Sequence, residues 1–373
     1  MKNKNIAIAG EITPSKTIIP VIQKLKELDS EDKLDFKIGK IIGLYHGDSS
    51  KDLLEPYCDE LYSIGEGRRG EKKSTAKLAY LIFKDIVKSF NALRGKHIDL
   101  LVTAGNAGDV RKSIVAANLL KIPILHIEQD IYNPIEMISH ANLVTVPSSD
   151  YKSYLEKNYS LENVVNIEGY PMAMYVKNYI DEGHLRDKEE IYDEFGVRDF
   201  TLLVLGGDLK DEDIEPLIRS IEELNLKVLI APYRFDREMV KELIISPNLK
   251  VLPQYVDLLS FMNASSHLIY AAGMGMTIEA GVFNIPSLKI EGFHKTHGSV
   301  DLANYLHIPI VKIDEIPKAF ENLEKQKEND LLDKSDMAIQ NLVNLINAFD
   351  DKSLKKSGFK STKKIWNSRK IYR

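Results

Sequence analysis

Gly273, Gly275, Thr277 and Glu279 lie just beyond a short apolar run, Leu268-Ile269-Tyr270, in the segment HLIYAAGMGMTIEAGVFNIPSLKI at residues 267–290. Small residues in such a turn let backbone pass close to a ligand. The helix that follows offers unpaired N–H groups at its positive dipole end. Phosphate or pyrophosphate is the guest this chemistry suits, with Met274 and Met276 completing the loop. The helix reads as opening Thr277-Ile278-Glu279-Ala280, which sets Glu279 about one turn in, where a carboxylate can accept hydrogen bonds from a ribose diol. An ordinary strand–helix connection, with glycines serving only tight packing, is the competing reading.

Four more strand exits gather glycine and polar groups: Gly10-Glu11-Ile12-Thr13-Pro14-Ser15, Ala104-Gly105-Asn106-Ala107-Gly108-Asp109, His126-Ile127-Glu128-Gln129-Asp130 and Gly206-Gly207-Asp208. Glycine and polar residues at strand exits, with apolar residues elsewhere, form the pattern of a small-molecule site. Glu11, Glu128 and Asp130 are its acids, and each could equally cap a helix or make a structural hydrogen bond. His126 follows apolar residues and reads as a packed core histidine. Asp208, Asp211 and Asp213 cluster, but helix-capping acids explain them as well as a divalent metal would, so no metal ligands are assigned and metal dependence stays open.

Positioning these loops requires alternating strands and helices. Strands are expected at Lys4–Ala9, Lys40–Leu44, Glu60–Ser63, Leu100–Thr103, Ile124–Ile127, Leu143–Val146 and Val164–Ile167, then at Thr201–Leu205, Lys227–Ala231, Lys250–Leu252, Leu268–Tyr270, Pro286–Ile290 and Ile308–Val311. A long amphipathic helix over Thr75–Leu93 is expected to bury Ala79, Ile82, Phe83, Ile86, Val87 and Phe90. This rhythm predicts an α/β protein of two parallel-sheet domains, with ligand in the crevice at the carboxyl ends of their strands. The expected division is 1–175, a connection at 176–199, a second domain at 200–330, a helix at 331–350 crossing back to the first domain, and a basic tail at 351–373.

Composition narrows the classes further. The chain has 373 residues, 44% apolar and 28% charged, which describes a folded protein of about two domains. Cys58 is the only cysteine, so disulfide frameworks and cysteine zinc sites are excluded within one chain. No apolar run reaches the length of a membrane span, and the N-terminus lacks a signal-peptide core. The expected location is cytoplasmic. A net charge of −5 argues against nucleic acid as a partner.

The order of these motifs resembles the two-domain GT-B glycosyltransferases. Within them it resembles the cell-wall enzymes that move N-acetylglucosamine from UDP to a lipid-linked muramoyl-peptide. Their H-E-Q-N segment has its counterpart in Ile122-Pro123-Ile124-Leu125-His126-Ile127-Glu128-Gln129-Asp130, their G-G-S turn in Gly206-Gly207-Asp208, and their G-A-x-T-x-x-E loop in Gly273-Met274-Gly275-Met276-Thr277-Ile278-Glu279. Phe293-His294-Lys295 echoes a short F-x-H-K run. The resemblance implies a GT-B fold of two Rossmann-like domains, a UDP-sugar as substrate, no tightly bound cofactor, and the ribose of UDP on Glu279. It implies transfer of an N-acetylhexosamine to an acceptor, lipid-linked at an anionic membrane surface, with the protein peripheral on the inner face. Helix N–H groups near Gly275 and Thr277 would then hold the pyrophosphate, with Gly10, Thr13, Asn106, Gly206, Gly207 and Asp208 lining the site. His294, Lys295 or His297 would answer the charge of the leaving diphosphate, Tyr255 would line the base pocket, and Glu11, Glu128 or Asp130 would deprotonate the acceptor. Departures are that Gly169-Tyr170-Pro171-Met172-Ala173 ends in alanine where the family has arginine, and that Asp208 replaces serine.

The non-hydrolysing UDP-N-acetylglucosamine 2-epimerases are also similar. Their first loop has the length of Gly10 through Pro20, their V-E-A-G acid matches Glu128 and their P-x-E acid matches Glu136, while their G-D aspartate falls on Asn106 and their G-H-R-R-E-N motif is missing. A GT-B scaffold that binds ligand or partner without chemistry is the third reading. Two basic, aromatic-bearing regions suit membrane docking. One comprises Arg68, Arg69, Lys72, Lys73, Lys77, Lys84 and Lys88 with Tyr80 and Phe83. The other is the tail, with Phe359, Trp366 and Tyr372 among its lysines and arginines.

Overall fold

The structure is a computed structural model that describes residues 2–65, 75–324, 327–350 and 354–369. Arg68, Arg69, Lys72, Lys73, Lys352, Lys370, Tyr372 and Arg373 lie outside the described residues. The chain divides into two compact units, Met1–Tyr175 with Asp333–Arg373, and Val176–Leu332.

The first unit runs β1 (Lys2–Ala9), α1 (Ile12–Ser30), β2 (Phe36–His46), α2 (Asp48–Leu54), β3 (Glu60–Gly65), α3 (Thr75–Leu93), β4 (Ile98–Ala104), α4 (Gly108–Leu119), β5 (Ile124–Ile127), β6 (Leu143–Val146), α5 (Ser149–Tyr159) and β7 (Val164–Asn166). All strand pairs are parallel, in the order β3-β2-β1-β4-β5-β6-β7. Parallel neighbours need a crossover, and each intervening helix covers one face, so the strands are buried on both sides. Successive residues of β1 alternate between cores. Ala7 and Ala9 pack with Val110, Ile114, Ala117 and Leu155. Ile6 and Ile8 pack with Ile18, Ile22 and Leu25.

The second unit begins within α6 (Met172–Asp181) and continues α7 (Lys188–Phe195), β8 (Thr201–Val204), α8 (Asp211–Glu223), β9 (Val228–Ala231), α9 (Arg237–Glu242), β10 (Leu249–Val251), α10 (Leu258–Ala264), β11 (His267–Tyr270), α11 (Met274–Phe283), β12 (Ser287–Ile290), α12 (Gly298–Tyr305), β13 (Ile310–Val311) and α13 (Ile316–Glu321). Its sheet is parallel, in the order β10-β9-β8-β11-β12-β13. The stretch 176–199 is largely helical: Ile191 of α7 is buried and Tyr192 donates from its hydroxyl to Ala264 O at 3.0 Å.

The chain then returns to the first unit through α14 (Leu331–Asn347), whose Ala338, Ile339, Leu342, Val343 and Ile346 join that core. The basic tail forms α15 (Phe359–Arg369), with Ile365 fully buried in the other core of the same unit. Lys364 donates to Ser160 Oγ at 2.6 Å, and Arg369 to Pro134 O at 3.2 Å. Among the described residues no helix is long and apolar enough to cross a membrane.

The stripe predicted on α3 is not the buried one. Ala79, Ile82, Phe83 and Val87 are exposed, whereas Asp85 and Ser89 face inward and Phe90 packs against the core. The inward face makes a polar contact with α4 and β2: Lys112 Nζ lies 2.5 Å from Asp85 Oδ2 and 3.3 Å from His46 Nε2.

Candidate functional site

Both sheets reverse strand order once, at β1/β4 and at β8/β11, and open α/β sheets bind ligands at the carboxyl ends of strands flanking such a point. In the second unit the β8 exit, Gly206-Gly207-Asp208, therefore lies beside the β11 exit, Ala271-Ala272-Gly273. The fit is tight enough that a Cβ on Gly206 would overlap Ala271 O. Asp208, expected to stand beside a phosphate, is engaged otherwise. Its carboxylate accepts from His294 N at 3.1 Å and its carbonyl from Phe293 N at 3.2 Å, so it ties the β8 loop to the loop after β12.

The helix α11 begins at Met274, with Gly273 as its extended N-cap, three residues before the expected opening. Gly275 in the first turn does not interrupt it, and the N–H of Thr277 already bonds Gly273 O at 3.3 Å. Thr277 N–H is thus removed from the donors; those left at this end are Met274, Gly275 and Met276. Thr277 is fully buried, its hydroxyl accepting from Tyr270 Oη at 3.2 Å, and Glu279, two residues on, is buried as well. His297 caps α12, with Nδ1 accepting from Ser299 N at 3.0 Å, and its ring lies 3.6 Å from where a Cβ on Gly273 would stand. The His294 ring is 6.1 Å from that of His297. Lys295 points to solvent, 3.9 Å from Glu291, and Tyr255 is 91% exposed on the loop after β10.

Sequence reasoning missed Lys289. It is buried in β12, donates to Ala272 O at 2.7 Å and lies over the Tyr270 ring. Burial pulls its ammonium down to about 8, with Asp208 opposing the shift. A cation thus sits directly beneath the loop that would hold a diphosphate. The available signal was a lysine inside a four-residue strand with no exposed position.

In the first unit, Gly10 and Gly105 both close on Pro14, and Gly105 also takes a positive φ of 78°. Glu11 is the N-cap of α1, half-exposed, with no side-chain capping bond. Thr13 O accepts from Thr17 Oγ1 at 3.3 Å, and Thr17 in turn accepts from Gln129 Nε2 at 2.9 Å, joining the β1 and β5 exits. Asn106 donates to Asp130 O at 3.3 Å. His126 is fully buried, as its apolar setting predicts, with Nδ1 2.9 Å from Thr103 Oγ1 and Nε2 3.4 Å from Glu128 Oε2. Glu128 Oε1 accepts the N–H groups of Gln129 and Asp130, both at 3.0 Å. Glu136 is held bidentately by Arg111 at 2.9 and 3.2 Å. Asp109 went unnoticed as a titrating group. It is fully buried beside Glu11, and its carboxyl is pushed up to about 7, by burial first and by the Glu11 charge second. Among the described residues no group of His, Cys, Asp and Glu is arranged to hold a metal ion.

No family model and no curated protein sequence matches this chain. Solved structures do. UDP-N-acetylglucosamine 2-epimerase from Rickettsia bellii is similar at a TM-score of 0.69 and 15% identity, over 94% of this chain and 97% of that one. UDP-GlcNAc 2-epimerase from Neisseria meningitidis, bound to UDP-GlcNAc, is similar at 0.66 and 16%, over 99% of this chain and 100% of that one. MurG from Acinetobacter baumannii is similar at 0.52 and 15%, over 92% of this chain and 99% of that one. The two parallel, doubly wound sheets of this chain form the GT-B-like fold that those enzymes share.

Proposed function

We propose that this chain is an enzyme acting on a UDP-N-acetylhexosamine and that it inverts the sugar at C2. The observation that carries the reading is the chain-long likeness to UDP-GlcNAc 2-epimerases, at higher TM-scores than to MurG. In the second unit, the Met274, Gly275 and Met276 N–H groups with Lys289 beneath them suit a diphosphate, and Glu279 suits a ribose. Epimerisation removes a proton and returns one on the opposite face, so it needs an acid and a base. Of the positions the epimerase resemblance marks, Asn106 cannot titrate and Glu136 is committed to Arg111. Glu128 is sealed beside His126, so proton transfer falls to the part-exposed acids at the strand exits, Glu11 and Asp130.

Glycosyl transfer to a lipid-linked acceptor at an anionic membrane is the second reading. It is favoured by the solvent face of α3, where Tyr80, Phe83 and Val87 stand out among Lys77, Lys84 and Lys88. One experiment separates the readings. UDP-GlcNAc is incubated with the protein in D2O and followed by proton NMR. Deuterium at C2 with appearance of the 2-epimer supports epimerisation. UDP release that depends on an added lipid-linked acceptor supports transfer. Binding without either product leaves a ligand-binding scaffold, and no binding overturns the UDP-sugar reading.

A further inference from the structure

The basic tail has no part in the proposed reaction. Residues 352–373 hold nine lysines and arginines and no acid, so the net charge of −5 divides into +9 there and −14 on residues 1–351. Within the tail, α15 is fixed by its inner side. Ile365 is fully buried, Ser361 donates to Ser160 O at 2.8 Å and Lys364 to Ser160 Oγ at 2.6 Å. Thr362 Oγ1 lies 2.7 Å from Ser139 Oγ, and Arg369 donates to Pro134 O at 3.2 Å. The opposite side holds Phe359, Lys360, Lys363 and Trp366, all exposed. Phe359, Lys363 and Trp366 are spaced by four and three residues, which is one stripe of a helix, and the two aromatic positions stand about 10 Å apart along its axis. Single exposed apolar side chains are ordinary on a protein surface. A phenylalanine 80% exposed and a tryptophan 47% exposed, on one stripe with lysines, are not scattered.

A second helix repeats the pattern on the same side of the same sheet. Leu93 of α3, Val110 of α4 and Ile365 of α15 join one core, whereas Ile18 of α1 and Leu342 of α14 join the core on the other face. From α3, Tyr80, Phe83 and Val87 stand outward with Lys77 and Lys84, and the only acid of that helix, Asp85, faces inward onto Lys112. Two segments far apart in the chain thus present aromatic rings and lysines in one direction.

We propose that this side of the first unit docks on an anionic lipid surface, with Phe359 and Trp366 of α15 entering the headgroup layer and Lys360 and Lys363 against its phosphates. Amphipathic aromatic rings settle at the water–lipid boundary, and basic residues beside them add attraction to anionic lipid. Two outward helix faces on one side of a sheet suit a broad, flat partner, whereas single-stranded nucleic acid is held along a basic groove. The negative charge of residues 1–351 turns the tail's side toward such a surface. Docking of this kind stands apart from the reaction at the strand exits.

Trp366, the only tryptophan, sits on the stripe and reports contact directly. The full chain is titrated with vesicles of phosphatidylcholine containing about one-third phosphatidylglycerol, and its fluorescence is followed, with brominated lipid as quencher. A blue shift and quenching are expected with these vesicles, and neither with phosphatidylcholine alone. Each lysine at such a surface contributes about fivefold, so Lys360→Gln combined with Lys363→Gln should require about thirtyfold more lipid. Both positions are exposed and glutamine is a good helix former, so the double variant keeps the fold. No shift with the anionic vesicles, an equal shift with phosphatidylcholine, or unchanged binding by the double variant overturns the docking surface. A shift produced by single-stranded RNA and not by vesicles, or on concentrating the protein without lipid, assigns the face to nucleic acid or to a second copy and overturns it too. Turnover of UDP-GlcNAc in solution is expected to be equal in the double variant and the wild type, so failure of docking and failure of the proposed reaction are read separately.

Discussion

Asp109→Asn, at a position with no solvent exposure, is expected to become progressively less harmful as pH rises and to stabilise the protein above neutrality. The Asp109 carboxyl lies at about 7 in the folded chain against a reference of 3.8. An acid raised by folding binds its proton better folded than unfolded. Its neutral form supports the fold at low pH, and that support is lost as pH rises from about 4 through 7. Integrating the difference between pH 5 and pH 8 gives roughly 2–3 kcal/mol lost by the wild-type chain and not by the variant. The asparagine amide brings its own buried donors, at a cost of about 1–3 kcal/mol, but that cost does not change with pH and cancels in the difference. His46, held low by burial, titrates in both chains and cancels likewise. Urea unfolding followed by tryptophan fluorescence is the assay, because the only tryptophan, Trp366, lies on α15 in the first unit and reports that unit alone. For a domain of this size the swing corresponds to roughly 5–10 °C in melting temperature. If the stability difference between the two chains is the same at pH 5 and pH 8, Asp109 is ionised in the fold and the reasoning fails.

Three further outcomes are expected. Glu279→Ala should weaken UDP binding by about 1.5–3 kcal/mol, the worth of a charge-assisted hydrogen bond, and unchanged binding in a folded variant rejects its ribose role. Lys289→Met should keep the fold, because the side chain is buried and of similar length, while lowering UDP affinity about tenfold as Ala272 O loses its donor; calorimetric titration with UDP reads this. Ile365→Ala should cost about 2–5 kcal/mol and free α15 from the first unit, seen as faster proteolysis of the C-terminal residues; an unaffected chain means that this contact contributes little.

Sequence alone determined what local chemistry determines. Alternating apolar runs and helix formers placed the strand segments from Lys4–Ala9 to Ile308–Val311 within a few residues of those observed. A row of parallel strands follows once every crossover is helical. Glycines and acids at strand exits were legible for the same reason, since Gly105 and Gly206 are required wherever two exits close on each other. Helix starts were less legible. Gly275 reads as a break but lies inside α11, and this moves the free N–H groups from Thr277 to Met274–Met276. The inward face of α3 carries an ion pair with α4, which no hydrophobic period encodes. Only the tertiary structure sets β1 against β4 and β8 against β11, and with them Asp109 against Glu11 and Lys289 beneath Ala272. A side chain's protonation depends on which charges and how little water surround it. Those neighbours come from strands and helices far apart in the chain, so a buried lysine and a buried acid look in the sequence like any others.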